Sequence, residues 1–321
     1  MIKETFIGET IRQARLAAGK TQEELCPGLC DPSTLSRIET GRQTPSRNLA
    51  IALMQRLDLP YDRYYTFLTA SEAEAAALRT AADDHIFRFQ QSLGEEKHQA
   101  RLDALEQLTR LEAVTEADDR IGRQYILAMR AVLGEEDGPA CFKTKLNMLL
   151  EAILLTVPRF DLRTLGKRLY SIDEMEIIIQ IARTYSDAGR HKKAAGIFSQ
   201  LLTYVREHDQ DVTHPSRHLS PAILNYAREL YLTGCYREAL ETAEQGRQKC
   251  LDYGYCQSLP GLLAVMAECR YAMGEVEQSR ELYCQAYYLF RETGNASGLA
   301  YVEARGREQL GPAFPLPEVP A

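Results

Sequence analysis

No stretch of about 18 consecutive apolar residues occurs in this sequence, which excludes a hydrophobic membrane-spanning helix, and the N-terminus lacks the apolar core of a secretory signal. Both absences predict a soluble, cytoplasmic protein without a membrane partner. Tryptophan is missing, and the residues that dominate (Ala, Leu, Glu, Arg and Gln) are helix formers, so an all-α fold is expected. Metal-site spacing is lacking too. Of the eight cysteines, Cys26 and Cys30 stand on either side of a turn, but no second Cys or His pair lies at ligand distance. The cysteines therefore read as reduced, small core residues, mostly within helical patterns. His208, His214 and His218 share one polar segment whose nearest carboxylates are Asp209 and Asp211, too few for a metal site. AAGKT (Ala17 to Thr21) has the end of a phosphate-binding loop, yet position 14 is alanine where glycine is required and no strand precedes it. With no nucleophile and base in sight, no catalytic residue, cofactor or metal is expected, and the chain does not read as an enzyme.

What is present begins with capping signals. Thr21 with Glu24 three residues on forms a capping box that starts a helix at Gln22, just after Gly19 closes a first helix running from about Phe6 to Ala18. Pro27 and Gly28 keep the second helix short, and Asp31 as N-cap with Pro32 at the first helical position starts a third that ends at Gly41. Leu35 and Ile38 form the apolar face of this third helix, leaving Ser33, Thr34 and Arg37 on another arc. Two short helices around a tight turn, the second with small polar residues and an arginine outward, are the layout of a helix-turn-helix DNA reader. Arg37 is the strongest base reader, since its fork can bond both acceptors of a guanine, worth about 1–3 kcal/mol of discrimination. Pro32, Ser33 and Thr34 accompany it at the start of the helix. Gln22, Arg42 and Arg47 are candidate phosphate contacts that set register.

Charge divides unevenly. Residues 1 to 66 contain nine Lys or Arg and eight acids, a balance of +1, within a chain of net charge −7, which leaves −8 for the remainder. A near-neutral reader on an acidic body predicts modest, salt-dependent DNA affinity from one copy, so a homodimer on one operator is expected.

The reader stretch resembles the Cro/repressor (Xre-type) helix-turn-helix family through GETIRQARLAAGKTQEEL and STLSRIETGRQTPS, over about residues 6 to 66. The resemblance implies a five-helix domain with an internal ion pair between Arg15 and Glu39.

Farther on, IARTYSDAGRHKKA (Ile181 to Ala194), YARELYLTGCYREA (Tyr226 to Ala239) and MAECRYAMGEVEQS (Met266 to Ser279) align. In each, a small residue (Ala182, Ala227, Ala267) precedes a glycine by seven (Gly189, Gly234, Gly274), and a second small residue follows five later (Ala194, Ala239, Ser279). Helix pairs explain this, with small residues allowing close approach and glycine capping the first helix. The pattern resembles the tetratricopeptide repeat, with spacings of 45 and 40 that longer helices or loops such as Glu207 to Ser220 account for. Residues 71 to 170 are expected to hold two degenerate units, interrupted at Gly94, Gly138 and Pro158. The expected architecture is a helix-turn-helix domain over residues 1–68, a right-handed solenoid of tetratricopeptide-like repeats over 69–310, and a Pro-rich tail, 311–321, that cannot extend it.

In such an array the first helix of each pair lines the concave face. That nominates Arg183, Arg228 and Glu268, then Ser186, Tyr231 and Tyr271, with Gln180 and Asn225 on an adjoining row, as binders of an extended peptide. Tyr287, Tyr288 and Phe290 read as core or dimer surface. A reader followed by a repeat groove resembles the Rgg/PlcR/PrgX-type peptide-pheromone regulators. That resemblance implies a dimeric transcription factor whose repeats bind a short signalling peptide and thereby alter operator binding. The alternative keeps the reader and makes the repeats a dock for a protein partner.

Overall fold

A computed structural model of the chain describes residues 7–59, 70–134, 139–208, 219–254 and 256–315. Among them are fifteen α-helices and no strand.

The first four helices follow the capping signals. Helix α1 (Ile7–Ala17) closes at Gly19, whose φ of +64° is the left-handed turn that glycine makes without steric cost. The Thr21 hydroxyl accepts from the Glu24 amide at 3.2 Å and the Glu24 carboxylate accepts from the Thr21 amide at 2.7 Å, completing the capping box of α2 (Gln22–Leu25). Helix α3 (Pro32–Glu39) has Pro32 in its first turn, but the Asp31 side chain does not cap it. The Asp31 carbonyl instead receives the Thr34 and Leu35 amides at 2.9 and 3.1 Å. Thus Asp31 begins α3 through its extended backbone, not its carboxylate. Helix α3 ends two residues before Gly41, and Ser46 caps α4 (Arg47–Gln55) by accepting from the Leu49 amide. Ile11, Leu25, Leu35, Ile38, Leu53 and Met54 make the core of these helices, and Leu169 joins the same cluster. Phe6 and residues 60–68, the remainder of the expected five-helix domain, lie outside the described residues.

Eleven further helices follow: α5 (Ala70–Gln91), α6 (Gly94–Val114), α7 (Arg120–Val132), α8 (Pro139–Thr156), α9 (Ile172–Asp187), α10 (His191–His208), α11 (Leu219–Leu232), α12 (Tyr236–Tyr253), α13 (Leu259–Ala272), α14 (Val276–Glu292) and α15 (Ala296–Leu310). They fall into two compact units: Met1–Asp83 with Ala104–Thr184 and Thr203–Thr213, and Asp84–Asp103 with Tyr185–Leu202 and His214–Ala321.

The repeat signature reads directly onto these helices. Ala182, Ala227, Ala267, Ala194, Ala239 and Ser279 are all fully buried. Gly189, Gly234 and Gly274 take φ of +71°, +83° and +84° at the ends of α9, α11 and α13. In the second unit α12 packs on α11 and on α13, α13 on α14, and α14 on α15. The Ser279 hydroxyl donates to the Ala267 carbonyl at 2.8 Å, so the small residue of one helix is tied to that of its partner. The fold is therefore all-α, a helix-turn-helix followed by tetratricopeptide-like helix pairs.

One expectation changes and another gains a detail. Residues 311–315 form no helix, yet Phe314 packs into the core: it is 1% exposed, lies edge-on against Tyr283 and Tyr287, and fills the space over Gly306, where a Cβ would lie 2.3 Å from its ring. Sequence composition shows the prolines but not this anchor. The cysteines are not uniformly core either, because Cys26, Cys250 and Cys269 are buried while Cys235 and Cys256 are exposed. His214 and His218 lie outside the described residues.

Candidate functional site

Helix α3 presents its two faces as its periodicity requires. Leu35 and Ile38 are buried, whereas Pro32, Ser33 and Arg37 are exposed and Thr34 is half-buried. The Arg37 guanidinium donates to the Thr34 hydroxyl at 3.2 Å, which lays the arginine along the helix surface without removing it from solvent. Just beyond, Gly41 (φ +72°) reverses the chain and the Arg42 amide returns to the Arg37 carbonyl at 2.8 Å, holding exposed Arg42 beside the end of the helix.

An internal network holds α3 at a fixed angle. Arg15 grips Glu39 with Nε to Oε1 at 2.6 Å and a second guanidinium nitrogen to Oε2 at 2.9 Å, while also donating to the Lys20 carbonyl at 2.8 Å. The ion pair implied by resemblance is present. Burial disfavours the Glu39 carboxylate, but the bonds from Arg15 and Gln22 outweigh it and leave its pKa below the usual value. Gln22 donates to Glu39 Oε2 at 2.7 Å, so one of its amide hydrogens is committed inside the domain. Arg47 is half-buried at the start of α4, and its backbone amide bonds Glu72 of α5 at 2.9 Å. Of the expected contacts, Pro32, Ser33, Thr34, Arg37 and Arg42 gather on one accessible surface. Gln22 and Arg47 are tied more closely to the scaffold.

A second network, not foreseen in the sequence, fastens the helix-turn-helix within the first unit. Arg56, 4% exposed at the end of α4, donates to the carbonyls of Leu25 and Pro27, both at 2.9 Å, and so closes the turn between α2 and α3. Its other nitrogen bonds the Thr156 carbonyl of α8 at 3.1 Å and Glu174 of α9 at 2.8 Å. Glu174 is 1% exposed and receives the Thr156 hydroxyl at 2.6 Å and the Ser171 amide at 2.6 Å. A buried charge pair survives only when it is bonded this completely. Gly28 completes the fit: with φ +79°, a Cβ there would stand 1.7 Å from the Thr156 carbonyl oxygen. In the sequence, Arg56 is one cation among nine in that segment, and nothing local pairs it with a residue 118 positions away.

The candidate peptide residues divide between the units. In the first, Gln180 is buried and donates to Glu176 at 2.7 Å, while Arg183 is exposed on the same helix, α9. In the second, Arg228, Tyr231 and Glu268 come together around two residues of α15 that sequence reading did not select. Glu268 Oε1 receives the Tyr301 hydroxyl at 2.7 Å and Arg305 Nε at 2.9 Å; Arg305 also donates to the Tyr231 hydroxyl at 2.9 Å. The Arg228 guanidinium lies 5.2 Å from the centre of the Tyr301 ring, within cation–π range. Burial and the adjacent Glu268 push the Tyr301 pKa up. Glu268 is 1% exposed, so it organises this cluster from beneath instead of lining an open face as its spacing predicts. Tyr271 is half-buried on α13, and Asn225 donates to the Pro221 carbonyl one turn back at 2.8 Å. Ser186 turns to Glu229, which also meets His191 Nδ1 at 3.0 Å, and so serves the helix junction. Among the described residues no group of three or more His, Cys, Asp or Glu could hold a metal ion, and no helix is long and apolar enough to cross a membrane.

Comparison with known proteins agrees with this architecture. Residues 7–63 match the family described as a helix-turn-helix domain. The curated proteins contain no match to the chain. Among solved structures, PlcR from Bacillus thuringiensis in complex with the peptide PapR7 and DNA superposes with a TM-score of 0.57 at 20% identity, covering 93% of this chain and 98% of that one. The competence regulator ComR from Streptococcus vestibularis, in complex with its cognate signalling peptide XIP, gives a TM-score of 0.52 at 14% identity, covering 94% and 98%. ComR from S. thermophilus, in complex with DNA and its signalling peptide ComS, gives 0.51 at 13%, covering 95% and 99%. The fold expected from the peptide-pheromone regulator resemblance is therefore the fold found.

Proposed function

Given a helix-turn-helix domain joined to the fold of PlcR and ComR, we propose that this chain is a sequence-specific transcriptional regulator that binds double-stranded operator DNA through α3. Its repeats bind a short signalling peptide that modulates operator binding, and the active form is a cytoplasmic homodimer. The observation that carries the DNA reading is the arc of exposed Pro32, Ser33 and Arg37 with half-buried Thr34, on a helix whose opposite face is buried. Arg37 reads a guanine edge, Ser33 and Thr34 flank it, and Arg42 with Gln22 and Arg47 hold phosphates. For the peptide, support comes from the polar and aromatic cluster of Arg228, Tyr231, Tyr301 and Arg305 in the second unit, with Asn225 on α11 and Tyr271 on α13; in the first unit, exposed Arg183 on α9 is the candidate contact. Coupling requires that the peptide favour one arrangement of the helices over another, since equal affinity shifts nothing. Helix α9 suits this role within the first unit: its opening turn carries Glu174, the partner of Arg56, and Gln180 and Arg183 follow on the same rod.

The test starts from a random-sequence duplex pool, from which the protein selects its preferred site. Arg37→Ala is expected to lose about 1–3 kcal/mol of preference for that site while weaker, salt-dependent binding to unrelated duplex persists. Equal loss on both duplexes in fluorescence anisotropy makes Arg37 a phosphate contact, and failure to select any duplex overturns the DNA reading.

A further inference from the structure

The turn between α2 and α3 carries two thiols. Cys26 caps α2 and is 2% exposed; Cys30 is half-buried and directly precedes Asp31, the first residue of the α3 cap. The Cys30 amide bonds the Cys26 carbonyl at 3.2 Å across a turn in which Gly28 is left-handed, and the two sulfurs lie 3.8 Å apart. A disulfide needs about 2.05 Å between sulfurs, so side-chain movement of about 2 Å joins them. Contact with Cys26 lowers the Cys30 thiol pKa, against burial and Asp31 and with help from Arg56, whose guanidinium holds the carbonyls on either side of Cys26. The same contact, together with burial, raises the pKa of Cys26. Two sulfurs this close, one buried and one half-buried, are the arrangement in which an oxidised thiol is resolved by its neighbour.

We propose that Cys26 and Cys30 are a modification site, a dithiol that a hydroperoxide converts to an intramolecular disulfide, displacing the reader helix and weakening DNA binding. The Cys30 thiolate attacks one oxygen of the hydroperoxide; the O–O bond breaks, the leaving alkoxide takes up the proton that Cys30 released, and Cys30 becomes a sulfenic acid. Cys26 then forms the S–S bond at that sulfur, and its proton leaves with the displaced hydroxide as water. Two thiols are oxidised by two electrons, and the hydroperoxide is reduced to an alcohol and water. The surroundings direct the consequence. Leu25 and Pro27 are clamped by Arg56, and Gly28 rests on Thr156, so the N-terminal side of the turn cannot follow. Cys30 moves instead, and Pro32 begins α3 two residues later.

The proposal builds on α3 as the DNA reader, and its test separates the two. Full-length reduced protein is treated with hydrogen peroxide, alkylated and digested with trypsin; cleavage after Lys20 and Arg37 releases one peptide, Thr21 to Arg37, that contains both thiols. That peptide is expected to be lighter by two hydrogens and unalkylated, and affinity for the selected duplex, measured by anisotropy, should fall about tenfold or more, the size of one lost base contact, and recover with dithiothreitol. Cys30→Ser, and Cys30→Ala should serine disturb the fold, is expected to bind DNA as the reduced protein does and to resist peroxide. The proposal is overturned if the peptide keeps both thiols, gains only oxygen, or is cross-linked to another cysteine. It is overturned equally if the disulfide forms and affinity stays constant, or if the Cys30 variants lose affinity in peroxide like the parent. If the reduced protein selects no duplex, α3 is not a DNA reader and the proposed consequence falls with it, while the peptide mass still decides whether the disulfide forms.

Discussion

Glu39 shows how a single carboxylate can fix the angle of α3 within its domain. Two guanidinium bonds and one amide bond converge on it at 2.6 to 2.9 Å in a site that is 3% exposed. Its folded pKa lies below the ordinary value of 4.5, so its contribution to stability is complete above that value and lost as pH falls through the depressed one. Denaturant midpoints measured from neutral pH downward should show this acid-labile component, and Glu39→Gln should remove it; identical pH profiles argue against it. Arg15→Ala leaves the charge buried and unpaired and is expected to cost about 3–5 kcal/mol. Some of this was legible at the residue scale. The Arg15–Glu39 pair came from the motif because both ends recur at known spacing. Arg56 and Glu174 did not, since a partner 118 residues away leaves no local pattern.

At the scale of elements, the turn between α2 and α3 has two duties. It redirects the chain into α3, and it seats on the end of α8 with no room for a side chain at Gly28. Gly28→Ala therefore combines a left-handed backbone, about 1–2 kcal/mol by itself, with a clash against the Thr156 carbonyl. A lowered melting temperature and looser α2–α3 amides in hydrogen exchange are expected, and a melting temperature within error of the parent would show that the turn does not rest there. The repeat helices were legible because Ala and Gly recur at fixed intervals, and a left-handed glycine at a helix end depends mainly on local backbone. Phe314 was not. It lies beyond the last helix in a proline-rich stretch, yet fills the space over Gly306. Phe314→Ala is expected to destabilise by about 3–5 kcal/mol in chemical denaturation, as for other large buried aromatics, whereas a dispensable tail predicts no change.

For the whole molecule, a regulator needs an effector site whose occupancy changes the reader. The second unit supplies a cluster in which three odd-numbered helices, α11, α13 and α15, share bonds through Tyr231, Glu268, Tyr301 and Arg305. Arg228 is exposed beside this cluster and Asn225 lies one turn before it on α11; replacing both with alanine leaves Glu268 intact. Duplex affinity without peptide is expected to remain within about twofold, while the calorimetric response to a peptide that the parent protein binds is lost. An unchanged peptide response clears these two residues of the role.

The sequence by itself determined the helical class, the caps that start α2 and α3, the outward arc of the reader and the period of the repeats. Each of these depends on residues within a few turns of one another, where backbone preference and side-chain spacing act directly. Only the tertiary structure decided that Arg56 and Glu174 lock the reader domain to α8 and α9, that Glu268 is buried beneath Tyr301 and Arg305, and that Phe314 belongs to the core. Those outcomes follow from desolvation and packing between segments distant along the chain, and no local pattern encodes which charge is buried against which.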